Sequence, residues 1–239
     1  MQKPENWNEL TWQEKREWRF QRWRAAKGVK FENAEAKAKH DARVDRLIKA
    51  IKMEELPDRV PIDIATGSFP AYYAGYDLKT VMYDAQKMKE SWLKYARDFQ
   101  TDTMPNAGAS SAKVYEYMKT RTMRWPGGGL PDNAALIQFV EEEYMRENEY
   151  ALYFNNPADY ILRYFLPRTQ GVFEPLSNMG PLNSFMGTGQ QLMDAAVRPE
   201  IMGMAENLRK AHKASNDWAQ VTGECVQACR EMGYPDRKS

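Results

Sequence analysis

The stretch "DRVPIDIATG", Asp58 to Gly67, decides how the rest of the chain is read. Val60, Ile62 and Ile64 alternate with polar or small residues, and Thr66-Gly67-Ser68 breaks the run. A period of two followed by turn residues predicts a strand that ends in a loop. Downstream, "AQKMKESWLKYARDF" places Ala85, Met88, Trp92, Tyr95, Ala96 and Phe99 on one helical face, with Asp84 available to cap it. A second extended run, "QTDTMPNAG", follows and closes on another turn. Strand, helix and strand in that order, with connections of this length, predict a right-handed βαβ unit.

Upstream the pattern is helical. Thr11 and Glu14 form a Thr-x-x-Glu capping signature ahead of "WQEKREWRFQRWRAAKG", which Gly28 ends. A second helix is predicted after Asn33, with Val44, Leu47, Ile48 and Ile51 as its buried stripe and Pro57 closing it. A third extended run, "TRTMRW", Thr120 to Trp125, leads into "PGGGLPDN". The run "AALIQFVEEEYMRENEYALYF" reads as helix, as do "PADYILRYFL" and the segment from Arg198 to Gly233, the last as one long helix or two.

The triple glycine is not a phosphate cradle. A dinucleotide fingerprint needs Gly-x-Gly-x-x-Gly opening a helix, and a P-loop needs Gly-Lys-Ser/Thr. Here Gly127, Gly128 and Gly129 are followed by Leu130 and Pro131. Pro126 and Pro131 stiffen both ends while the glycines permit positive φ between them, which is the composition of a shaped turn.

The 239 residues carry a formal net charge of +1, with 28% charged and 43% hydrophobic residues. That balance gives no reason to expect nucleic acid or membrane as partner. No apolar run reaches the length of about 18 residues that a spanning helix needs, and the first residues lack a signal peptide's apolar core. Two cysteines make no disulfide framework. The expectation is a cytoplasmic protein.

The run from Arg124 to Arg168, "RWPGGGLPDNAALIQFVEEEYMRENEYALYFNNPADYILRYFLPR", resembles the uroporphyrinogen decarboxylase superfamily. Within it, the chain is similar to the branch of decarboxylase-like proteins and corrinoid methyltransferases. "DRVPIDIATGSFPAYYAGYD" and "DFQTDTMPNAG" stand where that family has its first two barrel strands, and "EKREWRFQRWRAAKGVKF" is similar to the leader of the branch. The resemblance implies an α/β fold: the N-terminal portion of a (β/α)8 TIM barrel, helix-rich, with residues 1–57 as a helical extension and 58–239 as an incomplete barrel domain. A barrel takes about 250 residues, so the expectation is a fragment, with a homodimer or a second chain as the means of completing it.

The family either decarboxylates tetrapyrroles or moves methyl groups between corrinoid proteins and thiols. Barrel chemistry sits after the strands, so the resemblance makes Asp102 the catalytic candidate, as electrostatic stabiliser or acid. The same rule makes Ser68, Phe69, Tyr72 and Asn106 the lining of the mouth. No arginine or lysine occurs between Arg59 and Lys79, whereas a ring of substrate carboxylates calls for arginines as bidentate partners. Methyl transfer to or from a corrinoid protein is therefore favoured over decarboxylation of uroporphyrinogen; the alternative is a non-catalytic truncated chain, or an interaction subunit that needs a partner to complete the barrel. Zinc enters only if residues beyond this sequence supply its ligands, because His40, His212, Cys225 and Cys229 do not form a ligand set by spacing. No metal site and no cofactor is assigned within the chain.

Several other features have simpler readings. The tryptophan-rich leader, with Trp12, Trp18 and Trp23 beside basic residues, reads as a clamp or subunit contact. Glu141, Glu142, Glu143, Glu147 and Glu149 read as a solvated helix face, and Arg163 and Arg168 as structural.

Overall fold

The computed structural model describes residues 3–105, 109–182 and 185–235. They are predominantly helical, with one small three-stranded sheet. Two compact units form, one from residues 1–76, 86–109 and 221–239, the other from 77–85 and 110–220.

In the first unit, helix α1 (Trp12–Ala25) opens with the predicted capping box, Thr11 and Glu14 satisfying each other's backbone N–H groups. It ends where Ala26 turns left-handed. Helix α2 (Ala34–Lys52) starts from Asn33, whose side chain accepts from the Ala36 amide at 2.9 Å. Phe20 of α1 packs with Val44 and Ile48 of α2, with Trp23 against them. Ile51, predicted in the same stripe, is instead exposed. The short helix α3 (Phe69–Tyr73) follows an irregular segment. Helix α5 (Ala85–Asp98), in sequence after α4 (Leu78–Tyr83) of the second unit, buries Met88, Trp92, Tyr95 and Ala96, the face its periodicity predicts.

The predicted strand at 58–67 is not one. Residues 60–66 are irregular chain, and Val60, Ile62 and Ile64 are 79%, 41% and 48% exposed. Pro61 has no N–H to give a ladder, and side chains that alternate in a strand also alternate in a lone extended segment. The second predicted strand is likewise irregular over residues 100–105, its last three residues lying outside the described ones. The two segments nevertheless touch: the Asp102 amide donates to the Ile62 carbonyl at 2.9 Å, and Thr103 Oγ1 to Asp63 Oδ1 at 2.6 Å. The described residues form no closed portion of a barrel, so the coarser statement holds: a helix-rich chain with a small sheet.

In the second unit, α4 (Leu78–Tyr83) is capped by Asp77 and α6 (Ala112–Met118) precedes the sheet. Strand β1 (Met123–Pro126) lies between β2 (Gly129–Leu130), parallel to it, and β3 (Gln138–Phe139), antiparallel, with Met123 opposite Phe139. The glycines make the turn. Trp125 and Gly128 exchange backbone hydrogen bonds of 3.0 and 2.8 Å, and a Cβ on Gly128 would stand 2.1 Å from the Trp125 ring.

The predicted helix over 134–154 is largely replaced by this sheet and by extended chain. It survives as a 3-10 turn at Glu147–Glu149 and as α7 (Tyr150–Asn155). The reason is the turn itself: it returns the chain so that 138–139 pair with 123–124, while Leu136 and Phe139 stay exposed rather than forming a helical stripe. Next come α8 (Pro157–Tyr160), a π segment (Ile161–Phe165), α9 (Leu166–Thr169), a 3-10 segment (Gly171–Asn178) and α10 (Phe185–Ala196). Helix α11 (Pro199–Glu231) is a single helix of 33 residues. No helix among the described residues is long and apolar enough to cross a membrane.

Candidate functional site

Asp102 is fully buried and carries more hydrogen bonds than any simple loop contact requires. Its Oδ2 accepts from Arg59 Nη1 at 2.6 Å and from the Ile62 amide at 2.7 Å. Its Oδ1 accepts from Arg59 Nη2 at 2.9 Å and from Arg46 Nη1. Arg46 also forks onto the exposed Asp58, with Nε and Nη2 donating at 2.7 and 2.6 Å. That fork, with the Asp102 contact, raises the Arg46 pKa above its ordinary value and holds Asp58 down at about 2. The result is a chain of alternating charge, Asp58–Arg46–Asp102–Arg59. A carboxylate buried without such partners costs far too much to remain ionised.

Helix α2 supplies this network because Arg43 and Arg46 lie three residues apart, beside its apolar stripe. Arg43 is buried as well: its guanidinium donates to the carbonyls of Thr101 and Gly233, each at 2.9 Å, and lies 3.9 Å from the centroid of the Tyr234 ring. Burial pulls its pKa below the usual arginine value. Tyr234 in turn donates to the carbonyls of Ala96 and Phe99 at 2.7 and 2.8 Å. Two arginines therefore hold the segment around residue 102 to α2, and one of them, Arg43, also ties in Gly233. The signal in the sequence was a pair of arginines at i, i+3 bordering an apolar stripe, which amphipathic reading assigns to solvent.

The proposed mouth residues sit apart from Asp102's hydrogen bonds. Ser68 precedes α3 and is half-buried, while Phe69 and Tyr72 are exposed on it. Phe69 joins an aromatic group: its ring stacks on Tyr73 at 5.8 Å and meets Tyr95 and Phe99 edge-on at 6.0 and 5.7 Å. Tyr95 and Phe99 stack at 4.6 Å, and Lys94 Nζ lies 4.3 Å from the Tyr73 ring. The exposed rings of Phe69 and Tyr73 thus rest on buried Tyr95 and half-buried Phe99 and form a ledge. Asn106 lies outside the described residues.

Other titratable groups take defined partners. Glu149 accepts from Arg168 through two 2.6 Å bonds and from Tyr160 Oη at 2.8 Å, and the Arg168 guanidinium holds its pKa at about 2. Arg163 forks onto Asp159 at 2.7 and 2.8 Å. Cys225 and Cys229 are both fully buried on α11, and the hydrogen bond that Cys229 donates to Cys225, with burial, pushes the Cys229 thiol up while it holds Cys225 down. His212 meets Asn216 at 3.0 Å. Among the described residues no group of three or more His, Cys, Asp or Glu side chains is placed to hold a metal ion.

Comparison with family models, with curated proteins and with solved structures finds no match to this chain.

Proposed function

We propose that the chain is a uroporphyrinogen decarboxylase-like protein acting on a flat macrocycle, a tetrapyrrole or a corrinoid-linked methyl group, with methyl transfer favoured. The observation that carries the reading is the Asp102–Ile62 backbone hydrogen bond. It joins the segments that resemble the family's first two strands, as neighbouring strands at the start of a (β/α)8 barrel would be joined. The aromatic ledge of Phe69 and Tyr73, with Tyr72 exposed on the same short helix, follows the first of these segments and offers a face on which a flat ring stacks.

Charge balance favours methyl transfer. To stabilise a cationic pyrrole, Asp102 would need an uncompensated carboxylate, whereas two guanidinium groups already neutralise it. Asp102 instead acts as a positioning residue, orienting the half-exposed Arg59 toward an anionic substituent of the ligand. The described His and Cys side chains do not fit a zinc site, so no zinc-dependent step is assigned to this chain.

Titration of the protein with hydroxocobalamin and, separately, with coproporphyrin, followed by absorbance, tests the reading. The expected result is binding that Phe69→Ala and Tyr72→Ala each weaken by about tenfold, the value of one lost stacking contact. Absence of binding by both macrocycles, or binding indifferent to both substitutions, overturns it. A second reading, an interaction subunit, is favoured by the exposure of Val60, Ile62 and Ile64 along one extended segment. It predicts concentration-dependent self-association that Ile62→Lys abolishes, measured by sedimentation.

A further inference from the structure

The positive charge of the chain is gathered at one end. Residues 3–30 carry eight lysines and arginines against four glutamates, whereas the whole chain has 34 against 33. The rest of the chain is therefore net acidic, and the near-neutral total conceals a basic arm.

Local structure arranges that arm around two indole rings. A turn over residues 5–9, held by the Trp7 and Glu9 amides donating to the Pro4 and Asn6 carbonyls at 3.1 and 2.9 Å, folds Trp7 back onto α1. There its ring meets Trp18 edge-on at 4.9 Å. Lys15, Arg19 and Arg22 follow one another at i, i+4 and i+7 and so share a face of α1. Lys3, Lys15 and Arg19 lie 5.1, 5.9 and 5.4 Å from the centre of the Trp7 ring, and Arg22 lies 5.0 Å from that of Trp18. The acids of α1 are engaged elsewhere: Glu14 accepts from Thr11, and Glu17 pairs with Lys52 at 2.9 Å and Arg16 at 3.6 Å. Among the described residues, Lys3, Lys15, Arg19 and Arg22 pair with no carboxylate, and a ring contact leaves their charge unneutralised. Arg19 is exposed, and Trp7 and Trp18 are half-buried, so both rings keep surface open to a ligand.

We propose that this face of α1, with the turn before it, binds single-stranded nucleic acid. A single strand offers phosphates to cations and unpaired bases to indole rings and guanidinium planes, the two kinds of group that are interleaved here. From Lys15 to Arg22 the face runs about 10 Å, room for about three stacked nucleotides at about 3.4 Å each. An anionic membrane also attracts cations, but a helix that lies on it needs an apolar face to bury. Helix α1 has none to spare: Phe20 is buried and Trp23 packs on the same core, so Trp12 is the one largely exposed ring of residues 3–30. The site is independent of the aromatic ledge and of the macrocycle reading.

The test is fluorescence anisotropy of labelled 15-mers of oligo(dT) and oligo(U) titrated with the full chain at several salt concentrations. The expected result is binding whose logarithm falls against log salt with a slope of about −2 to −3, the value for four phosphates at about 0.7 each. Arg19→Ala, with the fold checked by circular dichroism, makes that slope shallower by about 0.7. Trp7→Leu keeps an apolar side chain in the turn and weakens binding at least about fivefold through lost stacking. Arg209→Glu reverses an exposed charge of the second unit and leaves affinity within about twofold of the native value. No binding of either oligonucleotide at low salt overturns the proposal. So does a slope that Arg19→Ala leaves unchanged, or an Arg209→Glu effect as large as that of Arg19→Ala. Tighter binding to phosphatidylserine vesicles than to the oligonucleotides, or a duplex of the same length bound as tightly as the single strand, overturns it as well.

Discussion

Replacing Asp102 by asparagine probes the buried charge chain directly. The substitution keeps the shape of the side chain but removes its charge, and it places an NH2 group where an oxygen now accepts. In the native state the carboxylate accepts from Arg46, twice from Arg59 and from the Ile62 amide. Breaking a buried ion pair by removing one partner costs about 3–5 kcal/mol, because the other charge is stranded. Two features reduce that figure here: Arg46 keeps Asp58, and Arg59 is 40% exposed, so water takes over part of its solvation. The expected loss is therefore about 2–4 kcal/mol. For a chain of this length that lowers Tm by roughly 4–16 °C. Urea unfolding at pH 7, followed by circular dichroism, reads it. A double-mutant cycle refines the test: Asp102 should couple more strongly to the buried Arg46 than to Arg59. A loss below about 1 kcal/mol, or equal coupling to both arginines, would show that the network is not the buried, charge-compensated unit described.

Acid should act on the second unit through Glu149. Its folded pKa of about 2 lies below the unfolded value, so the stabilisation is complete above about pH 4.5 and is lost as pH falls toward 2. Glu149→Gln should remove about 2–3 kcal/mol at neutral pH and flatten the stability profile between pH 4.5 and 2, as measured by denaturant titrations across that range. Gly233 has φ +88°, and a Cβ there would stand 2.2 Å from the Ala36 carbonyl oxygen. Gly233→Ala should cost at least about 2 kcal/mol, from left-handed strain plus displaced backbone, read by the same unfolding assay. Tyr234→Phe, which strips the donor from the Ala96 and Phe99 carbonyls, should cost about 1–2 kcal/mol with the fold unchanged by circular dichroism.

What the sequence revealed was local. The Thr11–Glu14 box, the Asn33 cap and the buried face of α5 follow from spacing and hydrogen-bonding chemistry within a few residues. The shaped turn at Gly127–Gly129 was legible for the same reason, since its glycines and flanking prolines act on their own neighbours. Illegible were the features that depend on distant chain. Val60, Ile62 and Ile64 carry a strand's alternation, yet pairing requires a partner edge, and Pro61 gives that edge no donor. "AALIQFVEEEY" carries a helical period, yet residues 138–139 are claimed by β1 across the glycine turn. Asp102 could be picked out as a strand-end acid, but its partners Arg46 and Arg59 are 56 and 43 residues away in sequence. Only Glu149, among five glutamates that look equivalent in the sequence, receives the Arg168 fork, because α9 brings Arg168 to that one.

The two thiols of α11 give the molecule an internal clock. Cys225 and Cys229 have no surface in the folded state, and the raised Cys229 pKa keeps its reactive thiolate scarce. An alkylating reagent can therefore reach them only when the first unit opens around α11. Their rate of modification counts those openings directly, with no label introduced and no residue changed. Substitutions in the Asp102 network, which lies in the same unit, should quicken that clock, whereas Glu149→Gln in the other unit should leave it running at its native rate unless both units open together.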